Sequence, residues 1–192
     1  MIAGHFGLAA GVKAAETDVP LWSLMLATAW LDVVFIPLFA AGIETIMPAP
    51  GTPGGYGNGI IHADWTHSLV GALVLAGIYG ALFLRWGARA AWVLAAVAFS
   101  HWLLDLIVHR GDMAILPGNF GDLPRLGLGL WQYPAVSIAA ELALVVGGSV
   151  FYWRAARRAI GAGDFRRADI AAAIVVVSGL LVLALDVSGL VG

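Results

Sequence analysis

Residues 90–109 read AAWVLAAVAFSHWLLDLIVH. Crossing the hydrocarbon core of a bilayer takes about 20 predominantly apolar residues. This run has that length, and only Ser100, His101, Asp105 and His109 break its apolar character. It predicts a membrane-crossing helix. Its three ionisable residues stand four apart, and spacings of i, i+4 and i+8 place all three on one helical face, each a turn above the last.

The rest of the chain agrees with a lipid environment. Of 192 residues, 61% are hydrophobic and 11% charged, whereas soluble domains carry roughly 25% charged residues. The expected fold is an all-α, polytopic transmembrane bundle forming a single integral membrane domain over residues 1–192. A net charge of −2 gives no sign of nucleic-acid binding. The absence of cysteine excludes disulfides, thiolate metal sites and a cysteine nucleophile. Residues 1–15 lack the basic start and A-x-A site of a cleaved signal peptide, so the N-terminus reads as mature.

Hydropathy predicts five full spans, at about 20–43, 66–85, 90–109, 134–153 and 168–190. Residues 1–14 are apolar but too short to cross, and read as a short N-terminal helix inserted in the membrane. The connections 44–65 and 110–133 are rich in Gly and Pro and read as loops. Eight of the ten basic residues (Lys13, Arg85, Arg89, Arg154, Arg157, Arg158, Arg166 and Arg167) fall in connections that alternate to one side. By the positive-inside rule that side is cytoplasmic, and the two Gly/Pro loops, with Arg110 and Arg125, face outward with the C-terminus.

At about 1.5 Å of rise per residue, Asp32 lies about 18 Å up the first span, and His101, Asp105 and His109 about 16, 22 and 28 Å up the third. His67 opens the second span at the outer surface, just after His62 and Asp64. His5 stands about 12 Å up a helix rising from Lys13. Every histidine thus falls in the outer two-thirds of the membrane, near Asp32 and Asp105. An ionisable group in hydrocarbon costs at least about 2.5–3.5 kcal/mol and is normally paired or functional. The chain has too few Lys or Arg at this depth to pair these groups as salt bridges. Crowded carboxylates repel unless protonated or neutralised by a cation. Neutral imidazole with carboxylate oxygen suits Zn²⁺, with Mn²⁺ or Fe²⁺ as alternatives. The expected ligands are His5, Asp32, His62, His67, His101 and Asp105.

Each residue also has a plainer reading. A lone mid-span histidine is more often an interior hydrogen-bonding group than a ligand. His67 can belong to a polar helix start, Asp64 can cap that helix, and His109, next to Arg110, can sit at the membrane interface. Glu141 and Asp186, without histidine neighbours in sequence, can be protonated interhelical hydrogen-bond donors. Gly71, Gly77, Gly147 and Gly148 suit close helix packing, and the eight tryptophans suit interface anchoring.

A family pattern runs through the same residues. Gly4-His5, Leu31-Asp32, the stretch His62-Ala63-Asp64-Trp65-Thr66-His67-Ser68, and Ser100-His101 with Asp105 together resemble the bacterial inner-membrane metal-dependent hydrolases. That family is also described as LexA-binding and membrane-associated. The resemblance covers roughly residues 1–110 and implies metal-dependent hydrolysis in a bacterial inner membrane. The family often has Pro-Asp-x-Asp where this chain has Leu31-Asp32-Val33-Val34, so one carboxylate is missing. It often has His-Arg-Gly where this chain has His62-Ala63-Asp64, and Asp64 can replace the lost ligand. The later stretch LPGNFGDLPRLGLGLWQ, residues 116–132, resembles uncharacterised small bacterial membrane proteins.

The leading expectation is therefore a metal-dependent hydrolase. Its substrate would be a lipid-like ester or phosphoester that reaches the site from the outer half of the bilayer, beneath a lid of the two Gly/Pro loops. Membrane lipids are the expected partners. Asp64 or Asp105 would act as base where not a ligand, and His109 would meet the substrate at the mouth. No G-x-S-x-G elbow supports a serine mechanism. A small transporter or channel passing protons or metal ions along the His/Asp stripe is the alternative. It would need polar groups reaching the cytoplasmic face, where the spans are almost purely apolar. A membrane iron oxidase would need more than the five histidines present.

Overall fold

The computed structural model describes residues 1–49, 55–161 and 163–188. Residues 50–54 of the first Gly/Pro loop and the end of the fifth expected span, 189–190, lie outside the described residues. The elements are α1 (Ile2–Ala15), α2 (Leu21–Thr28), α3 (Trp30–Ala40), β1 (Thr45–Pro48), β2 (Gly59–His62), α4 (Leu69–Leu82), α5 (Ala88–Val108), α6 (Pro134–Ile160) and α7 (Arg166–Val187).

Three of these helices, α5, α6 and α7, are long and apolar enough to cross a membrane. A fourth span results if α2 and α3 are taken together across their 47° bend. Five full spans are not supported, for two local reasons. The expected span 20–43 breaks at Ala29, whose ψ of 2° leaves the helical range. Beside the break, the Thr28 carbonyl accepts a hydrogen bond from His101 Nδ1 on α5 at 2.5 Å. The expected span 66–85 shortens to the 14 residues of α4, about 21 Å at 1.5 Å per residue. Its first residues are drawn into a turn instead, and Ser68 caps the helix by accepting from Gly71 N at 3.1 Å.

Loop 44–65 contains an antiparallel hairpin rather than irregular chain alone. It pairs Thr45 with His62 and Ile46 with Ile61, because short apolar, β-forming stretches flank its Gly/Pro centre. The fold is therefore helical with one small ribbon.

The short N-terminal helix packs inside the bundle, chiefly on α6 and also on α2 and α7. The α1–α6 approach is close enough to be glycine-dependent: a Cβ at Gly148 would strike the Gly7 carbonyl. Gly71 is likewise held against the Trp65 carbonyl, whereas Gly77 and Gly147 face open space and do not serve the close packing expected of them. Leu24, Tyr79, Leu94 and Val97 form the largest buried apolar cluster, on α2, α4 and α5. Ile174, Val177 and Leu181 leave an exposed apolar face on α7, suited to lipid contact.

Candidate metal centre

One turn of α5 separates His101 from Asp105, and the other elements deliver their polar groups to that pair. α1 brings His5, whose Nε2 donates to Asp105 Oδ1 at 3.1 Å and whose ring stacks on His101 with centroids 3.9 Å apart. The bend between α2 and α3 brings Asp32, and the turn before α4 brings His67. His67 Nε2 lies 3.2 Å from His101 Nε2. His101 Nε2 lies 3.0 Å from Asp105 Oδ2 and 3.6 Å from Asp32 Oδ1. His67 Nε2 lies 3.4 Å from Asp32 Oδ1 and 3.8 Å from Asp105 Oδ2. All but Asp32 are buried.

The outer ring nitrogens explain why these atoms can meet. His101 Nδ1 faces the Thr28 carbonyl, which only accepts, so the ring proton sits on Nδ1. His67 Nδ1 lies 2.8 Å from Thr66 Oγ1. That hydroxyl in turn donates to the Glu44 carboxylate, 2.9 Å from Oε2, which leaves an oxygen lone pair to accept the His67 Nδ1 proton. A neutral ring with its proton on Nδ1 would present a bare Nε2 to the other ring and to carboxylate oxygens. With both rings in that form four acceptor atoms face one point, where a cation would relieve their mutual repulsion; the Met1 ammonium approaches Asp105 from the Oδ1 side, at 3.8 Å.

The donor set fits a divalent metal. Ligands at the 2.0–2.1 Å bond lengths of zinc stand about 3.3 Å apart around a tetrahedral ion. Five pairwise distances among His67 Nε2, His101 Nε2, Asp32 Oδ1 and Asp105 Oδ2 run from 3.0 to 3.8 Å. Among the described residues two overlapping trios have ligand spacing, His5–His101–Asp105 and Asp32–His67–His101. His101 belongs to both and has one free nitrogen. Anchoring the far nitrogen of a ligating imidazole to a carbonyl or carboxylate-backed group is the usual outer support of such sites.

His109 stands just beyond the end of α5. Its Nε2 lies 4.0 Å from Asp105 Oδ2, and its Nδ1 donates to Asp112 Oδ1 at 3.0 Å. The other Asp112 oxygen accepts from Ile61 N of β2 at 3.1 Å. The Trp131 ring lies against His109, with centroids 4.5 Å apart. A cavity of about 620 Å³ opens over this group, reached by His5, Asp32, His67, His101, Asp105 and His109. Its apolar walls include Phe35 and Ile36 of α3 and Ile46 and Met47 of β1.

Two expected site residues are not brought to the cluster. His62 lies half-buried on β2 opposite Thr45 and is in neither trio. Asp64 forms a two-pronged ion pair with Arg125, at 2.6 and 2.8 Å, and its hydrogen bonds hold the guanidinium above its ordinary pKa. It does not cap α4, a role taken by Ser68. Asp64→Asn is accordingly expected to loosen the 110–133 segment while changing metal content by less than about twofold, within the context-dependence of a site it does not touch. Metal analysis with limited proteolysis checks this. Loss of the metal with an intact loop would return Asp64 to the ligand set.

Glu141 reaches across from α6 to α1 and to the chain before β2. Its oxygens take Tyr56 Oη at 2.7 Å and Gly4 N at 3.1 Å. Asp186 lines the cavity. Sequence reasoning missed Glu44, Asp112 and the Thr28 carbonyl. Asp112 had a signal, its i+3 spacing from His109. Glu44 had none, since its 22-residue separation from Thr66 matches no local period. No family model, curated protein or solved structure matches the chain.

Proposed function

We propose that this protein is a metal-dependent hydrolase of a bacterial inner membrane, acting on an ester or phosphoester of a lipid-like molecule. One observation carries the reading. Two imidazole nitrogens and two carboxylate oxygens converge at ligand spacing beside a cavity with apolar walls.

His67, His101, Asp32 and Asp105 would hold the ion, with His5 supporting Asp105 from α1. Zn²⁺ suits this mixed nitrogen and oxygen set best, with Mn²⁺ or Fe²⁺ as alternatives. A bound divalent ion supplies an activated water at neutral pH and stabilises charge developing on the substrate oxygen. The chain's own residues do the rest. His109 Nε2 faces the cavity and can take a proton from water and pass it to the departing alcohol oxygen. Asp112 orients that ring through Nδ1. Phe35, Ile36, Ile46 and Met47 offer an acyl chain an apolar wall; Ile36, Ile46 and Met47 are also exposed at the surface. That exposure suits lateral access from lipid, and the distribution of basic residues favours a mouth in the outer half of the bilayer.

Protein purified from membranes without chelators is expected to carry roughly one transition-metal ion per chain. In liposomes it is expected to release alcohol or phosphate from a panel of lipid esters and phosphoesters, in a chelator-sensitive way. A metal content below about a fifth of an equivalent, or no product from any lipid in the panel at full metal content, would overturn the proposal.

A further inference from the structure

We propose that Glu44 is a positioning residue for the metal centre: acting through the Thr66 hydroxyl, it fixes the tautomer of His67 that leaves Nε2 free to ligate. The inference deepens the reading above and rests only on its assignment of His67 as a ligand.

Glu44 sits at the foot of the hairpin, immediately before β1, and is fully buried. A carboxylate there is costly unless its oxygens are fully used. They are used by one short stretch. Oε1 accepts from Trp65 N and Thr66 N, each at 2.8 Å, and the Thr66 hydroxyl lies 3.1 Å from Oε1 and 2.9 Å from Oε2. The two backbone donors hold the turn, and either Glu or Gln can satisfy them. The hydroxyl contact is different, because only an ionised carboxylate obliges Thr66 to donate in that direction. With its one proton committed to Glu44, Thr66 Oγ1 can only accept from His67 Nδ1, 2.8 Å away. The ring proton is thereby held on Nδ1, and the Nε2 lone pair turns to His101, Asp32 and Asp105.

Gln at position 44 reverses the chain of donors. Its carbonyl keeps both backbone bonds, while its amide donates to Thr66 Oγ1. The hydroxyl proton is then released towards His67 Nδ1, the ring proton moves to Nε2, and the ligating lone pair is lost. The substitution thus preserves packing and backbone bonding while changing one hydrogen's position.

The test is ¹⁵N-histidine NMR of metal-free protein in nanodiscs, alongside Zn²⁺ titration. Wild type is expected to show the Nδ1–H form at His67 and Glu44→Gln the Nε2–H form. Zn²⁺ affinity should fall by about 10–100-fold, the usual loss when outer support of a ligand is removed. Thr66→Ser should behave as wild type and Thr66→Val should lose affinity as Glu44→Gln does, and this pair decides the matter if the Glu44 variant does not fold. A wild-type His67 protonated on Nε2, or an unchanged tautomer and Zn²⁺ affinity in Glu44→Gln, would overturn the proposal. The tautomer is read without metal, so a wild type that binds none would refute the metal centre and still report on Glu44.

Discussion

Protein carrying His101→Ala is expected to leave the membrane with less than about a tenth of the wild-type metal, since losing a ligand should exceed the 10–100-fold cost of losing outer support alone. His101 is the one residue shared by both trios of ligand spacing. Its Nε2 lies within 3.6 Å of His67, Asp105 and Asp32, so its removal takes one ligand atom from both trios at once. The substitution also frees the Thr28 carbonyl at the α2–α3 break, and a buried acceptor left without a donor costs about 1–3 kcal/mol. A modest fall in thermal stability should therefore accompany the metal loss, and size-exclusion profiles must confirm a folded chain. His62→Ala is the internal control. It removes an imidazole of the same chemistry from β2, outside both trios, and should retain its metal. If His101→Ala keeps full metal content, or both variants lose it equally, the centre is not where these side chains converge.

The convergence itself is legible in the sequence. Helical period puts His101 and Asp105 on one face, and ranking by depth places His5, Asp32 and His67 with them in the outer two-thirds of the membrane. That reasoning works because membrane spans are nearly parallel rods whose residues can be ranked by height. It fails where the rods break. Hydropathy does not register the interruption at Ala29, since the window stays apolar overall despite Thr28 and Asp32, and the carbonyl bond from His101 that accompanies the break comes from 73 positions away. The shortening of α4 has a similar origin, because Thr66, His67 and Ser68 are spent on the turn and its cap. Height alone also misplaces His62 and Asp64. Both lie near the right level, but pairing of β1 with β2 sets one aside and Arg125 holds the other. Glu44 and Asp112 escape notice for a related reason: each serves the site through a partner, and partnership across a fold has no sequence period.

The second large effect is expected at His109, and it separates an enzyme from a conduit. His109→Gln keeps side-chain length and a hydrogen-bonding end but cannot take up a proton. Its Nε2 stands 4.0 Å from Asp105, beyond the closer set of ligand atoms, so the variant should keep its metal. If His109 moves the proton between water and leaving group, turnover should fall by about 10²–10⁴-fold, the usual contribution of general acid–base catalysis. Asp112→Asn should give a smaller loss, because it removes the charge that orients the ring while leaving Nε2 in place. A proton or metal-ion pathway would respond otherwise: flux across sealed vesicles would fall, with no hydrolysis in any variant. The packing favours catalysis. One and two turns before His101 on α5 lie Val97, Ala98 and Leu94, closed against Leu24, Ala27 and Tyr79 in a buried apolar cluster. None of these residues lines the cavity. Behind the centre the buried polar groups, Ser23, Thr28 and Tyr79, carry no ionisable carboxylate or imidazole, and Tyr79 Oη is spent on the Ser23 carbonyl at 2.8 Å. Ions could continue only if that apolar layer opened, whereas a substrate needs nothing beyond the mouth. Flux through reconstituted wild-type protein at metal-replete, hydrolysis-free conditions would decide for the conduit.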